Sequence, residues 1–169
     1  NAFHADPHLP EDEQAELRDY ARSGFDRGHM VPAGNMPTPQ AQYESFSLAN
    51  IVPQNPRNNQ RLWAGIEAAV RRLAMEQGEL YILTGPLFLG AELQRVGGRV
   101  LVPTHIYKLV YDPKQQRAAA YLVENIATDA YRVVTVEELE RLAGITFLPG
   151  LPAAVKALKL ELPAPRRRG

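Results

Sequence analysis

Residues 59–77 restrict the fold more than any other stretch, because Leu62, Ile66, Ala69, Val70 and Leu73 recur at helical spacing and Gly78 supplies the stop. A helix with one apolar stripe must bury it, and the chain that follows offers a surface for it. Residues 79–84 read as a buried strand ended by Gly85-Pro86, and residues 99–102, 105–111 and 118–124 read as further strands. Asp112-Pro113-Lys114 turns the last two into a hairpin. The expected class is α+β, an antiparallel sheet with helices against it. At 169 residues with 45% apolar content, one core and one domain over 1–169 suffice.

The remaining segments are punctuated by local signals. The acidic run Glu11-Asp12-Glu13 suits the first turn of a short helix through Tyr20. Pro32, Gly34, Asn35, Pro37 and Pro39 predict a loop, and residues 46–52 a short strand. Thr135-Val136-Glu137-Glu138 is a capping box for a helix closing at Gly144. Residues 153–160 form a last amphipathic piece, and 161–169 a basic tail expected to be flexible. The first residues, Asn1-Ala2-Phe3-His4, lack an initiator methionine, so an upstream segment is expected.

Composition narrows the chemistry. With no cysteine there are no disulfides, thiolate metal sites or thiol nucleophiles. No apolar run is long enough to span a bilayer, so no membrane partner is expected. Nineteen basic residues balance nineteen acidic ones, so a polyanion would have to bind a local patch, for which Arg27, Arg57, Arg61, Arg71, Arg72 and Lys108 are available.

Chemistry-bearing residues concentrate in Gly24-Phe25-Asp26-Arg27-Gly28-His29-Met30-Val31-Pro32-Ala33. His29 can take a proton near neutral pH, although a structural imidazole stays open on its own. Gly28 permits a backbone that presents His29, and Arg27 offers a fork for phosphate oxygens or a surface ion pair with Asp26. His4 and His8 flank Asp6, but Pro7 between them argues against a helical metal pair; His105 reads as structural. Asn59 lies in the first turn of the long helix, where it can offer a hard oxygen to Mg²⁺ or cap the helix, as Asn58 equally could. Glu67 and Arg71 follow at i+4 steps, either as an ion pair or as a carboxylate for metal-bound water and a cation for phosphate.

DRGHMVPAGNM, SLANIVPQNPRNNQRLWAGIE, LTGPLF and VPTHIYKLV occur in that order. Together they resemble the DNA/RNA non-specific endonucleases of the ββα-metal superfamily, the Serratia nuclease and endonuclease G group, over roughly residues 1–150. The resemblance implies a central antiparallel sheet flanked by helices, and Mg²⁺-dependent hydrolysis of DNA and RNA to 5′-phosphate products, with Mn²⁺ as a substitute ion. It makes His29 the general base, Arg27 a phosphate contact and Asn59 the sole direct protein ligand of the metal. Glu67 would hold metal-bound water, and Arg71 would contact the scissile phosphate. Asn50 would orient His29 or the metal waters, with Arg57 and Arg61 adding substrate contacts. The family's further active-site arginine falls just upstream of the segment matching Asn1-Ala2-Phe3.

Two other functions stay open: a binding module that keeps the fold without the chemistry, and a toxin or effector nuclease paired with an inhibitor protein. A homodimer also stays open. A secreted or periplasmic bacterial setting is favoured, with a mitochondrial one as the alternative.

Overall fold

A computed structural model of the chain describes residues 2–166. Its centre is a four-stranded antiparallel sheet of β3 (Tyr81–Leu87), β6 (His105–Asp112), β7 (Arg117–Glu124) and β8 (Arg132–Val134), in the order β3-β6-β7-β8. The strands β6 and β7 are joined through Asp112, whose carboxylate accepts from the Lys114 and Gln115 backbone N–H groups, so the expected hairpin forms. Both faces of this pair are covered. On one, Ile106, Val110, Tyr121 and Val123 pack against Trp63, Ile66 and Val70 of the long helix; on the other, Leu109, Ala120 and Leu122 pack against Leu139 and Phe147. Because both faces are buried, these strands read as continuous apolar runs in place of an alternating pattern.

The long helix divides in two. Asn58–Trp63 is a wide π turn, and α3 (Ala64–Gln77) continues it to Gly78, whose φ of 85° ends it. Ahead of it, β1 (Asp26–His29) and β2 (Ile51–Gln54) make a two-stranded antiparallel hairpin, so β1, β2 and α3 form a ββα unit on the α3 side of the sheet.

Several expected boundaries move for identifiable reasons. β3 runs through Gly85-Pro86, because β3 is an edge strand where a proline is tolerated and Gly85 has no side chain to strike Tyr107. The strand expected at 46–52 begins only at Ile51, after a 3₁₀ turn over Leu48–Asn50. The acidic run at 11–13 is not helical; α1 covers only Leu17–Tyr20, its start pinned by the Glu16 N–H donating to Asp19 at 2.8 Å. Within the expected loop, Ala33–Asn35 is a 3₁₀ turn and Thr38 caps a helix α2 (Pro39–Glu44). A small hairpin, β4 (Arg95–Val96) and β5 (Val100–Leu101), precedes β6. The helix α4 (Val136–Ala143) starts and stops as expected, but its capping box is half formed: Thr135 accepts from Glu138 N–H, while the Glu138 carboxylate pairs with Arg132.

The last segment differs most. The amphipathic piece is helical only as α5 (Ala153–Lys156); beyond it Leu160 N–H donates to Ala118 O at 2.9 Å, and Leu160 is buried. The expected flexible tail is packed as far as Arg166: Leu162 joins the α3 core, Tyr121 donates its hydroxyl to Pro163 O at 2.6 Å, and Pro165 and Arg166 lie against Gly65. Arg167 and Arg168 lie outside the described residues.

Candidate active site

The site grows from β1. Asp26 and Gly28 share one face of the strand and Arg27 and His29 the other. On the first face, Asp26 Oδ2 accepts from the side-chain amides of Asn59 and Gln60, each at 2.9 Å. The alternative reading of an Asp26–Arg27 ion pair is not met among the described residues; Asp26 is engaged with the π turn instead. Gly28 is needed for space, because its φ is not positive and a Cβ there would lie 2.1 Å from Gln54 Oε1. On the other face, the Arg27 guanidinium sits 4.3 Å above the Phe3 ring, and His29 packs edge-on against Phe46, with ring centroids 4.6 Å apart. The buried Nε2 of His29 has no hydrogen-bond partner, and burial pushes the imidazole pKa down.

The two neighbouring asparagines separate cleanly. Asn58 is fully buried, accepting from Gln54 and donating to Glu124 O, while its N–H is capped by Asn55 Oδ1 at 3.1 Å. Asn59 is left to turn toward β1, where it lines an open cavity of about 510 Å³ with Phe3, Asp26 and Arg27. Since a carboxylate only accepts, the Asn59 nitrogen faces Asp26 and its oxygen is the end left free. The π turn shifts the angular register of Asn59 relative to the helix that runs on from Ala64.

Glu67 and Arg71 stand further along α3. They form no ion pair within 4 Å: Arg71 reaches the loop after β1, donating to Asn35 Oδ1 at 2.8 Å. Burial raises the Glu67 pKa, opposed by the charges of Lys108 and Arg71 and by the nearby Trp63 indole. That indole N–H lacks a hydrogen-bond partner by geometry, so its influence on Glu67 is one of proximity. Asn50 does not touch the imidazole: its Oδ1 accepts from Val31 N–H, and its Nδ2 donates to Val31 O and Ser45 O. It clamps the backbone two residues past His29. Lys108 cannot belong to a surface patch, being 2% exposed with Nζ on Thr84 Oγ1 at 2.6 Å. Arg57 and Arg61 are exposed near the start of the π turn, Arg57 3.4 Å from Asp129.

Sequence reasoning gave two residues the wrong place: Asp26, weighed only as a partner for Arg27, has a role that depends on the π turn, and Lys108, offered for the surface patch, has an even spacing with Ile106 and Val110 along β6 that does signal a place in the core.

A family model described as DNA/RNA non-specific endonuclease matches residues 1–154. The mitochondrial nuclease EXOG of Danio rerio is 36% identical over 88% of this chain and 50% of its own length. The mitochondrial endonuclease G of Bos taurus is 34% identical over 93% of this chain and 59% of its own. The chain thus spans between half and three-fifths of these relatives. Among solved structures, a chain in a complex of EndoG with EndoGI, described as showing the mechanism of EndoG inhibition, superposes with a TM-score of 0.82 at 31% identity, covering 90% of this chain and 71% of that one. With His29, Asn59 and Glu67 arrayed on one ββα unit and the match running through all of it, the chain belongs to the DNA/RNA non-specific endonuclease family.

Proposed function

We propose that the chain is a metal-dependent endonuclease that hydrolyses phosphodiester bonds of DNA and RNA without sugar specificity. The observation that carries this reading is the pairing, in one ββα unit, of a buried imidazole nitrogen without a partner and an asparagine whose oxygen is left free by Asp26. No group of three or more His, Cys, Asp or Glu that could cage a metal occurs among the described residues. That suits Mg²⁺, which keeps several waters and needs few protein ligands, and Mn²⁺ fits the same donors. Asn59 would hold the ion directly and Glu67 through water. When bound, it supplies positive charge for the phosphate and leaving oxygens.

The chain's own residues carry the rest. Neutral His29 takes a proton from the attacking water on its imidazole, the water oxygen bonds to phosphorus, and the bond to the 3′ oxygen breaks as that oxygen takes a proton from solvent water, leaving a 5′-phosphate and a 3′-hydroxyl. Burial keeps the ring neutral near pH 7 and therefore able to accept. Arg27, held over the Phe3 ring, and Arg71, tethered to Asn35, meet phosphate oxygens, and Arg57 and Arg61 contact the flanking strand. Asn50 positions His29 through the backbone. Contacts to phosphate and sugar explain a lack of sequence preference.

The similarity to a nuclease solved with its inhibitor supports an inhibitor protein as a partner. The relatives' mitochondrial names support the mitochondrial setting and lend nothing to the secreted or periplasmic one. Incubating the chain with supercoiled plasmid in Mg²⁺ and in EDTA tests the reading: nicking in Mg²⁺ only is expected, and intact plasmid in both would reduce the chain to a binding module.

A further inference from the structure

Residues 155–166 lie outside the stretch matched by the family model, yet from Leu160 onward they pack against the helix that carries Asn59 and Glu67. Leu160 is buried against the α3 core, Tyr121 holds Pro163 O, and the absence of a side chain at Gly65 makes room for Pro165 and Arg166, whose atoms would lie 3.2 Å and 3.0 Å from a Cβ there. The segment thereby builds one wall of a cavity of about 320 Å³. The other wall comes from Arg61 and Leu62 of the π turn, with Asp129 and Tyr131 ahead of β8.

Charge and position say what this cavity suits. Arg61 and Arg166 are exposed on its two sides, and exposed Arg57 adjoins Arg61 in a neighbouring depression with Gln60. Asp129, the one acid in its lining, is paired with Arg57 at 3.4 Å, an exposed pair that a phosphate could displace at little cost. Tyr131 adds a half-buried ring to the lining. Arginines on two walls and an aromatic in the same lining match a phosphodiester strand, whose oxygens accept from Arg and whose bases stack on rings. The cavity lies on the flank of the same π turn as Asn59: Arg61 follows Gln60, which itself donates to Asp26, but the cavity shares no lining residue with the Asn59 cavity.

We infer that the 159–166 segment, through Arg166 with Arg61 and Tyr131, forms a second nucleic-acid contact that holds the substrate strand on the flank of the π turn, apart from the Asn59 cavity. This rests on the nuclease reading and adds to it a subsite made by residues outside the family match.

The test measures binding of a fluorescein-labelled single-stranded oligonucleotide, by anisotropy in EDTA across a KCl series, to the wild-type chain and to Arg166→Gln, Arg166→Lys and Arg61→Gln/Arg166→Gln. Each phosphate contact contributes about 0.7 to the slope of log affinity against log salt for a single strand. Arg166→Gln is expected to weaken binding and lower the slope by about 0.7, the double variant by about twice that, and Arg166→Lys is expected to retain the slope. Thermal melts matching wild type would show that the segment stays docked. An Arg166→Gln slope and affinity equal to wild type would overturn the inference while leaving plasmid nicking, and hence the nuclease reading, intact. A variant that keeps its oligonucleotide binding but loses binding to oligo-glutamate would identify a protein-docking surface and equally overturn it. Wild-type protein that neither binds the oligonucleotide nor nicks plasmid would remove both readings together.

Discussion

Asn59 donates its side-chain amide to Asp26 at 2.9 Å, and the same Asp26 oxygen accepts from Gln60, so a β1 carboxylate dictates which end of Asn59 is presented. A group that orients a metal-binding side chain commonly controls affinity or activity by about 10- to 100-fold. Asp26→Ala is therefore expected to raise the Mg²⁺ concentration needed for half-maximal plasmid cleavage by about that factor. Asp26→Asn should do the same, because its amide lets Asn59 flip. A Mg²⁺ titration of either variant that overlays wild type would separate Asp26 from the metal site.

His29→Ala should lower cleavage by about 10²- to 10⁴-fold, the usual range for a general base, with little change in oligonucleotide binding. Burial places the His29 pKa below its ordinary 6.5, so the acid limb of the rate profile is expected below that value. The folding sign agrees: below pH 6.5 the unfolded chain binds the proton first, so stability falls on acidification through this window. A rate profile with its acid limb above 6.5 would contradict a buried, neutral base.

Lys108 lies on the α3 face of β6, its ammonium 5.3 Å from the Trp63 ring centre, and burial pulls its pKa from 10.5 to about 8 against the opposing influence of Glu67. Between about 8 and 10.5 the unfolded chain holds a proton that the native one has released, so stability rises with pH. The full contribution is about 3 kcal/mol. Above pH 10 the raised pKa values of Tyr20, Tyr107 and Tyr121 act in the opposite direction in any variant that keeps them. Urea unfolding of wild type and Lys108→Met at mildly alkaline pH is expected to show the rise in wild type only; parallel pH dependences would mean that Lys108 titrates normally.

Gly28→Ala places a methyl 2.1 Å from Gln54 Oε1 and 2.7 Å from Gln54 Cβ. Overpacking of this kind costs about 1–3 kcal/mol. A fall in melting temperature is expected, together with loss of cleavage as β1 moves away from β2. Unchanged melting would show that Gln54 can withdraw despite its buried bond to Asn58.

Much of the fold was legible because it follows from local periodicity. The long helix and its Gly78 stop, the β6–β7 hairpin and the Thr135 to Gly144 helix all stand where residue pattern and turn chemistry place them. Boundaries moved where tertiary position overrode a local rule. Gly85-Pro86 could stay within a strand because β3 is an edge. Ionic spacing left two readings open: Glu67 and Arg71 are correctly spaced to pair, but Asn35, brought in from the loop after β1, takes the guanidinium instead.

The order of residue types along the chain determined by itself which groups are available to the site: one histidine in DRGH, an asparagine, a carboxylate and an arginine along one helix, and no thiol to compete with them. Only the tertiary structure decided which asparagine enters the core, which way Asn59 points, that Lys108 is buried and that residues 159–166 reach the π turn. The physical reason is that periodicity reports on a residue's own element, whereas orientation and burial of a polar group depend on partners distant in sequence. Asp26 is 33 residues from Asn59.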